Sequence, residues 1–491
     1  MSATPEAARA GSTVPYTEVA MYVAGRWTDG TSGESSEILN PATEEAIGRV
    51  PHASQADLEE AVEAAADGFR VWRDMPVDER TTTLLRAAEL IRSRAQRIGE
   101  VMTIEQGKPL AEARGEVMRV AKLLQWDAEE GRRAYGRVIP VDNETQLTVH
   151  REPVGPVAAF TPWNFPAGSP MRKIAASLSA GCSLVIKASE EVPGTACELV
   201  RCFEEAGVPP GVLNLVFGEP PSISEYLIAH PAIRFVAFTG SIPVGKHLAG
   251  LAAQVMKPSI MELGGHAPVI VCADSDPVAA ARSCVGAKFV NAGQVCTSPS
   301  RFYVHESLYD RFVAAFTDAA KEIRVGNGLE DGVRMGPLAN PRRVEAVARF
   351  VEEALAGGAT AVCGGQRMPR AGWFYEPTVL IDVPAAAEVM QVEPFGPVAP
   401  IAPFADLDDA IDRANALPYG LAAYGFTRSS AIAAELTRRL EAGILSINHA
   451  GGSVPEAPSG GVKESGYGRE GGHEGLEGYL ITKRVSHRLV P

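Results

Sequence analysis

The sequence predicts an α/β protein built on parallel sheets, with a separate β arm, and three observations carry that prediction. Four short apolar runs, at 157–160, 184–186, 213–217 and 235–238, are separated by helical stretches such as 194–205, the alternation expected of parallel strands with crossover helices. A second alternation comes after 260, with apolar runs at 269–271, 302–304 and 445–447 and amphipathic helical stretches at 308–323, 343–356, 408–416 and 431–441. Residues 134–153 and 479–485 instead alternate apolar and polar positions without helical spacing.

At 491 residues the chain is too long for one ordinary core, so two or three compact units are expected. Its hydrophobic fraction of 46% and charged fraction of 22% are those of a globular protein. A net charge of -14 argues against nucleic acid or anionic lipid as a partner. The longest uncharged stretch, 154–171, holds four prolines and does not suit a membrane-spanning helix. Seven cysteines without a C-x-x-C pair make neither a disulfide framework nor a zinc site, so no metal is expected and a reducing compartment fits. The small, polar first sixteen residues carry no targeting pattern; the expectation is a flexible tail over 1–16 on a cytoplasmic protein.

In chain order, 21–27 reads as a hairpin arm with Asp29-Gly30 as its turn signal. Helices are expected over 54–72, capped by Ser54 with Asp57 in the first turn, over 79–98 as one element, and from Leu110 to about Arg132. These read as ordinary amphipathic helices without chemistry. The polar strand pair at 134–153 reads either as an arm that pairs with another subunit or as a surface hairpin of its own chain. The terminal strand at 479–485 suits joining that arm across subunits.

Ligands in parallel sheets sit beyond the carboxyl ends of the strands, which directs attention to the residues just after each apolar run. After the first comes Thr161-Pro162-Trp163-Asn164-Phe165-Pro166 and after the second Lys187-Ala188-Ser189-Glu190. A carboxylate at such a strand end can accept both hydroxyls of an adenosine ribose, and a lysine can donate to the same ribose or to a phosphate. After the fourth run, Gly240, Ser241 and Gly245 open a helix, where free N–H groups and the helix dipole favour a phosphate, although the G-x-G-x-x-G fingerprint is absent. Glu262 is a lone carboxylate in the apolar segment Met261-Glu262-Leu263-Gly264-Gly265, and Cys296 comes after the glycine turn Asn291-Ala292-Gly293-Gln294-Val295. A thiol is a strong nucleophile as thiolate, and a desolvated carboxylate has a raised pKa that suits a base near neutral pH.

Together these segments resemble the NAD(P)-dependent aldehyde dehydrogenase superfamily, nearest its succinate-semialdehyde dehydrogenase-like group. The matching pieces, in order, are 162–166, 187–190, 238–241, 262–265, 293–296, Glu393-Pro394-Phe395-Gly396-Pro397 and the glycine-rich run 460–470. The separation 296 - 262 = 34 also agrees with the family's base-to-nucleophile spacing. The resemblance implies a Rossmann-like parallel-sheet cofactor domain over 17–133 and 154–262, an α/β catalytic domain over 263–470, and a β oligomerisation arm over 134–153 and 471–491 making a homodimer or homotetramer. It implies Cys296 as nucleophile, Glu262 as hydrolytic base, Asn164 with the Cys296 N–H as oxyanion donors, and Lys173 with Glu470 as a proton-relay pair. A hemithioacetal and then a thioester would form on Cys296, and release as free acid is expected because acyl-CoA-forming relatives lack the glutamate. Dinucleotide contacts are implied at Thr161, Pro162, Trp163 and Leu263. Lys187 and Glu190 match the adenosine ribose, Gly218 the adenine, Gly240, Ser241 and Gly245 the pyrophosphate, and Glu393 and Phe395 the nicotinamide ribose. The charge of Glu190 would repel a 2′-phosphate, so NAD is expected over NADP.

The substrate expectation is a small-molecule aldehyde. Of the two arginines by which the nearest group binds a distal carboxylate, one matches Arg172 and the other falls on Val290, 296 - 6 = 290. Ser453 matches a serine turned toward the substrate tail, and Ser459 replaces a usual aromatic residue. Arg172 is equally readable as a structural charge, so a carboxylate-tailed semialdehyde and a bulkier aliphatic or aromatic aldehyde both stay open. His266, leading into an apolar strand, reads as a hydrogen-bonded structural residue. The alternative of another class is a non-catalytic NAD-binding scaffold.

Overall fold

The computed structural model describes residues 15–451 and 454–489. Two sheets, each with its own apolar core, hold fifteen of the twenty strands among the described residues. In the first, five parallel strands lie in the order Ser259–Leu263, Phe235–Gly240, Val157–Phe160, Leu184–Lys187 and Leu213–Val216. All but the first residue or last two residues of these runs are buried, as strands covered by helices on both faces require. The antiparallel hairpin Met21–Val23 and Arg26–Thr28 closes one edge, and Gly466–Tyr467 returns from the far end of the chain to pair with Met261 and Glu262 at the other. In the second sheet, six parallel strands run Thr378–Ile381, Val398–Phe404, Pro299–His305, Ala267–Val271, Ala422–Phe426 and Ile444–Ile447, with Thr360–Cys363 antiparallel at one edge.

Local chemistry accounts for most element ends. The helix Gln55–Asp74 starts in a capping box in which Ser54 Oγ accepts from Asp57 N while Asp57 accepts from Ser54 N. Pro193–Ala206 lacks a side-chain cap of its own, and buried Glu105 from another helix accepts from Gly194 N and Thr195 N, 2.8 Å each. Burial pushes that carboxyl up to about 7 against these hydrogen bonds.

Three expectations are corrected. The N-terminal hairpin turns at Ala24-Gly25, both with positive φ (52° and 79°) as a tight two-residue hairpin loop requires, and Asp29-Gly30 lies beyond its second strand. The single helix over 79–98 is two, Val77–Ser93 and Ala95–Gln106, broken at Arg94 (φ -96°, ψ 9°), whose guanidinium reaches Glu205. The terminal strand Leu480–Arg488 pairs with Thr145–Pro153 of its own chain from Leu480↔Pro153 to Arg488↔Thr145, so the arm is a three-stranded sheet completed by Arg137–Pro140 without a partner subunit. Val154 N donating to Tyr479 O (2.9 Å) shows why: the two segments leave the body side by side.

Candidate active site

Strand register builds the site. Thr239 and Glu262 are paired neighbours at the carboxyl ends of adjacent parallel strands, and the chain passes through Gly264-Gly265 from the first sheet into the second. A Cβ on Gly265 would stand 3.1 Å from the carbonyl oxygen of Cys296, so the end of the glutamate strand lies directly against the thiol loop. That loop is held in an uncommon shape. Asn291 and Ala292 adopt left-handed angles (φ 50° and 53°), and Gly293 (φ 73°) approaches Gly396 so closely that a Cβ would be 2.1 Å from its carbonyl oxygen. Gln294 locks the turn by donating to Asn291 O (3.0 Å) and accepting from Ala339 N (2.9 Å). Asn164 joins from the first sheet, its Nδ2 donating to Gln294 O (3.1 Å).

The electrostatics are those of a dry site. Burial, reinforced by the nearby charge of Glu470, pushes the Glu262 carboxyl up to about 8, against the opposing charges of Lys173, Arg172 and Arg469. Its Oε1 is buried and has no hydrogen-bond partner. Burial likewise pushes the Cys296 thiol up to about 12, helped by Glu393 and Glu262 and opposed by Arg172 and the Thr297 N–H. Behind Glu262, fully buried Lys173 contacts Glu470 and donates to Thr239 Oγ1 (2.5 Å), while Glu470 pairs its backbone with Ser459. Arg172 Nε stands 3.9 Å from Glu470 Oε2. Cys296, Glu262, Asn164, Lys173, Glu470 and Arg172 therefore occupy one neighbourhood.

The residues expected at a dinucleotide line the first sheet's carboxyl ends. Lys187 forms an ion pair with Glu190, and burial lowers the lysine's pKa against the pull of that carboxylate. Gly218 comes after its strand beside Ala53, whose N–H donates to Phe217 O (2.8 Å). Ser241 is the N-cap of the helix Ile242–Gln254, yet its side chain makes no capping bond. Thr161 Oγ1 is buried without a partner. Trp163 meets the Phe395 ring edge-on at 5.6 Å, which ties the segment 161–163 to the loop 393–397. Leu263 packs where a side chain on Gly245 would go. Glu393, pushed up to about 8 by burial, accepts from Gly265 N (3.3 Å). A helix N-terminus with a free hydroxyl and unsatisfied polar atoms on one line of strand ends fit a bound dinucleotide.

Val290 is 36% exposed at the start of the thiol turn, and Ser453 lies outside the described residues. His266 is buried, with Nδ1 2.8 Å from Ser300 Oγ and Nε2 3.2 Å from Val389 O, and burial holds its pKa well below the usual range, so it stays neutral. Two contributors carry no signal of their own in the sequence. Arg343 donates to Pro394 O (2.6 Å) and Phe395 O (3.1 Å) and so shapes the loop that carries Glu393. Thr239 reads only as part of a turn until the strands are aligned, and their register then puts it beside Glu262. Among the described residues no cluster could hold a metal ion, and no helix is long and apolar enough to cross a membrane.

A parallel-sheet unit whose strand ends face a thiol and a desolvated carboxylate is an arrangement that fits an oxidoreductase. Comparison with known proteins gives its family: residues 27–485 match the model of the aldehyde dehydrogenase family, and the chain belongs to it. It is 47% identical to 4-(hydroxymethyl)benzenesulfonate dehydrogenase TsaD1 of Comamonas testosteroni, over 96% of this chain and 98% of that one. It is 40% identical to succinate-semialdehyde dehydrogenase [NADP(+)] GabD of Escherichia coli K12, over 94% and 95%. Among solved structures, succinate-semialdehyde dehydrogenase from Burkholderia pseudomallei superposes with a TM-score of 0.95 at 39% identity, covering 96% of this chain and 98% of that one. The chain is thus an oxidoreductase with the aldehyde dehydrogenase fold, and the scaffold alternative is set aside.

Proposed function

We propose that the protein oxidises an aldehyde to the free carboxylic acid with NAD, through a thioester on Cys296. The observation that carries this reading is the buried, unpartnered carboxylate oxygen of Glu262 beside the thiol loop, with a pKa pushed up to about 8. Bound dinucleotide supplies a hydride acceptor. In the reaction, Cys296 releases its proton to solvent, with Glu262 assisting but not required, and Sγ adds to the carbonyl carbon to give an oxyanion held by Asn164 Nδ2 and the Cys296 N–H. One such donor typically contributes about 3 kcal/mol to the transition state. Collapse of the hemithioacetal expels hydride and leaves the acyl group on sulfur. Glu262 then takes a proton from the water that attacks the thioester carbon and passes it to the Lys173–Glu470 pair behind it, while the carbon–sulfur bond breaks, releasing the acid and returning Cys296 Sγ.

We assign the dinucleotide to 17–133 with 154–262 and the thiol to 263–470, a division the two sheets support except that Gly466–Tyr467 returns to the first. Glu190 supports NAD, because its carboxylate would meet a 2′-phosphate; the GabD relative is named for NADP(+), so the preference is a property to be measured on this chain. The aldehyde carries an anionic tail. Arg172 is the cation whose charge reaches both Cys296 and Glu262, and the two relatives are named for a sulfonate and a carboxylate. With Val290 rather than an arginine at the turn, the tail has one cation fewer than a dicarboxylate semialdehyde site would offer. A bulkier arylsulfonate or carboxylate is therefore favoured over succinate semialdehyde. The arm supports a homodimer or homotetramer, since Val138 on its edge strand and the flanking Tyr135 and Val141 are exposed at 65%, 76% and 59%. A panel of aldehydes with carboxylate, sulfonate or no tail, each with NAD and NADP and monitored at the reduced nicotinamide absorbance, tests the reading. Equal efficiency for the untailed aldehydes would refute the anionic-tail assignment.

A further inference from the structure

The helix Leu110–Glu130 and the turn before it, which the sequence presents as ordinary, hold a buried ion pair whose remaining contacts all point at the site. Lys108 Nζ lies 2.6 Å from Glu116 Oε2, with side chains 2% and 3% exposed. Burying two charges is costly unless geometry and further hydrogen bonds compensate. Here they do, through one short segment. Lys108 Nζ donates to the backbone oxygen of Asn164 (3.0 Å) and stands 4.5 Å above the ring of Phe165. Glu116 Oε1 accepts from Ala167 N (3.0 Å) and Gly168 N (2.8 Å), the free donors at the start of the helix Gly168–Ala180. The side-chain hydrogen bonds and ring contact that the pair makes beyond itself thus all lie in 164–168.

The same segment also grips the thiol loop. Asn291 Nδ2 donates to the Asn164 carbonyl oxygen that Lys108 holds (2.8 Å). Gln106 Nε2 donates to Asn291 Oδ1 (2.8 Å), and Glu112 Oε2, one helical turn before Glu116, accepts from Asn291 N (2.9 Å). Asn164 is therefore fixed at its backbone by Lys108 and Asn291, and at its side chain by Gln294 O, which takes one of the two Nδ2 hydrogens. Those three contacts set the direction of the second hydrogen. An oxyanion donor is useful only when it is held where charge develops, to within about 0.5 Å.

We propose that the Lys108–Glu116 pair is a positioning device that aims the Asn164 amide at the oxyanion and sets its distance from the Cys296 loop. The proposal rests on the reading of Asn164 as an oxyanion donor. The pair touches neither substrate nor sulfur, and it acts through Asn164.

The test is a mutant cycle on the full-length enzyme, read as the single-turnover rate of reduced nicotinamide formation and, separately, as dinucleotide affinity by quenching of protein fluorescence. Lys108→Met is expected to slow the single-turnover rate about 30-fold, somewhat less than the roughly 10²-fold that a misplacement of about 1 Å can cost, while dinucleotide affinity changes less than about twofold. In an Asn164→Ala background the same substitution should cost less than about threefold, because the group it aims is gone. Lys108→Met leaves a buried carboxylate uncompensated, so the charge-neutral pair Lys108→Met with Glu116→Gln is carried through the same cycle and decides the matter if the single variant does not fold. Equal losses in the two backgrounds, a wild-type rate, or failure of the charge-neutral pair to fold would each overturn the proposal by making the pair merely structural. If Asn164→Ala alone left the rate unchanged, the oxyanion role would fail first and the positioning role with it.

Discussion

Replacing Glu262 by glutamine tests the hydrolytic half of the mechanism, because the change keeps the shape of the side chain and removes its basicity. The wild-type carboxyl, held near 8 by burial and by Glu470, is about one-tenth ionised at pH 7 and about nine-tenths ionised at pH 9. If its ionised form activates water, the steady-state rate should rise roughly tenfold between those pH values and flatten above them. In Glu262→Gln that limb should vanish and the steady-state rate should fall by roughly 10²–10⁴, while one equivalent of reduced nicotinamide still appears in a burst. Stability should move the opposite way. A carboxyl whose folded pKa lies above its ordinary 4.5 favours the folded state most below 4.5, and that contribution is lost as pH rises through 8. Glu262→Gln should therefore gain melting temperature relative to wild type as pH is raised from 6 to 9. Stopped-flow absorbance and thermal melts read both effects. A glutamine variant that kept the wild-type steady-state rate, or its tenfold pH rise, would refute the assignment of Glu262 as base.

The same geometry predicts other outcomes. With no dinucleotide bound, the rate of Cys296 alkylation by iodoacetamide should climb about tenfold per pH unit from 7 to 10, since burial holds the thiol near 12; a plateau below pH 8 would contradict this. Glu190→Ser, which removes the carboxylate beside Lys187, should raise kcat/KM for NADP relative to NAD by about 10- to 100-fold, measured with one aldehyde. Val290→Arg should increase selectivity for succinate semialdehyde over an untailed aldehyde by more than about tenfold, a charged hydrogen bond being worth roughly 1.5–3 kcal/mol. Val138→Glu on the exposed edge of the arm should shift the sedimentation profile toward smaller species without changing the fold.

How much of the molecule is legible in the sequence depends on the range of the interactions. Cys296 and Glu262 are readable because each is a reactive group in a short segment of otherwise inert residues, and the parallel strands are readable because their alternation with helices is local. The turn at Ala24-Gly25 escapes a sequence reading because Asp-Gly is the stronger local turn signal, while strand pairing with Leu215 settles which residues extend. Alternation along 480–488 fixes a strand but says nothing about whether its partner belongs to the same chain. Lys108 looks like a solvated charge in a turn and Glu116 like one on an amphipathic helix. Their burial depends on the segment 164–168, some fifty residues away, and no periodicity within 110–130 encodes that contact. The same holds for Arg343, whose partners Pro394 and Phe395 lie in another loop.

The most direct measurement is peptide-level mass spectrometry of the Glu262→Gln protein quenched in acid after mixing with NAD and an anionic-tailed aldehyde. The acyl group should be found on the peptide containing Cys296, at up to one per chain and absent when NAD is omitted. An unmodified Cys296 peptide under conditions that yield a burst of reduced nicotinamide would contradict the thioester, and with it the chemistry assigned to this site.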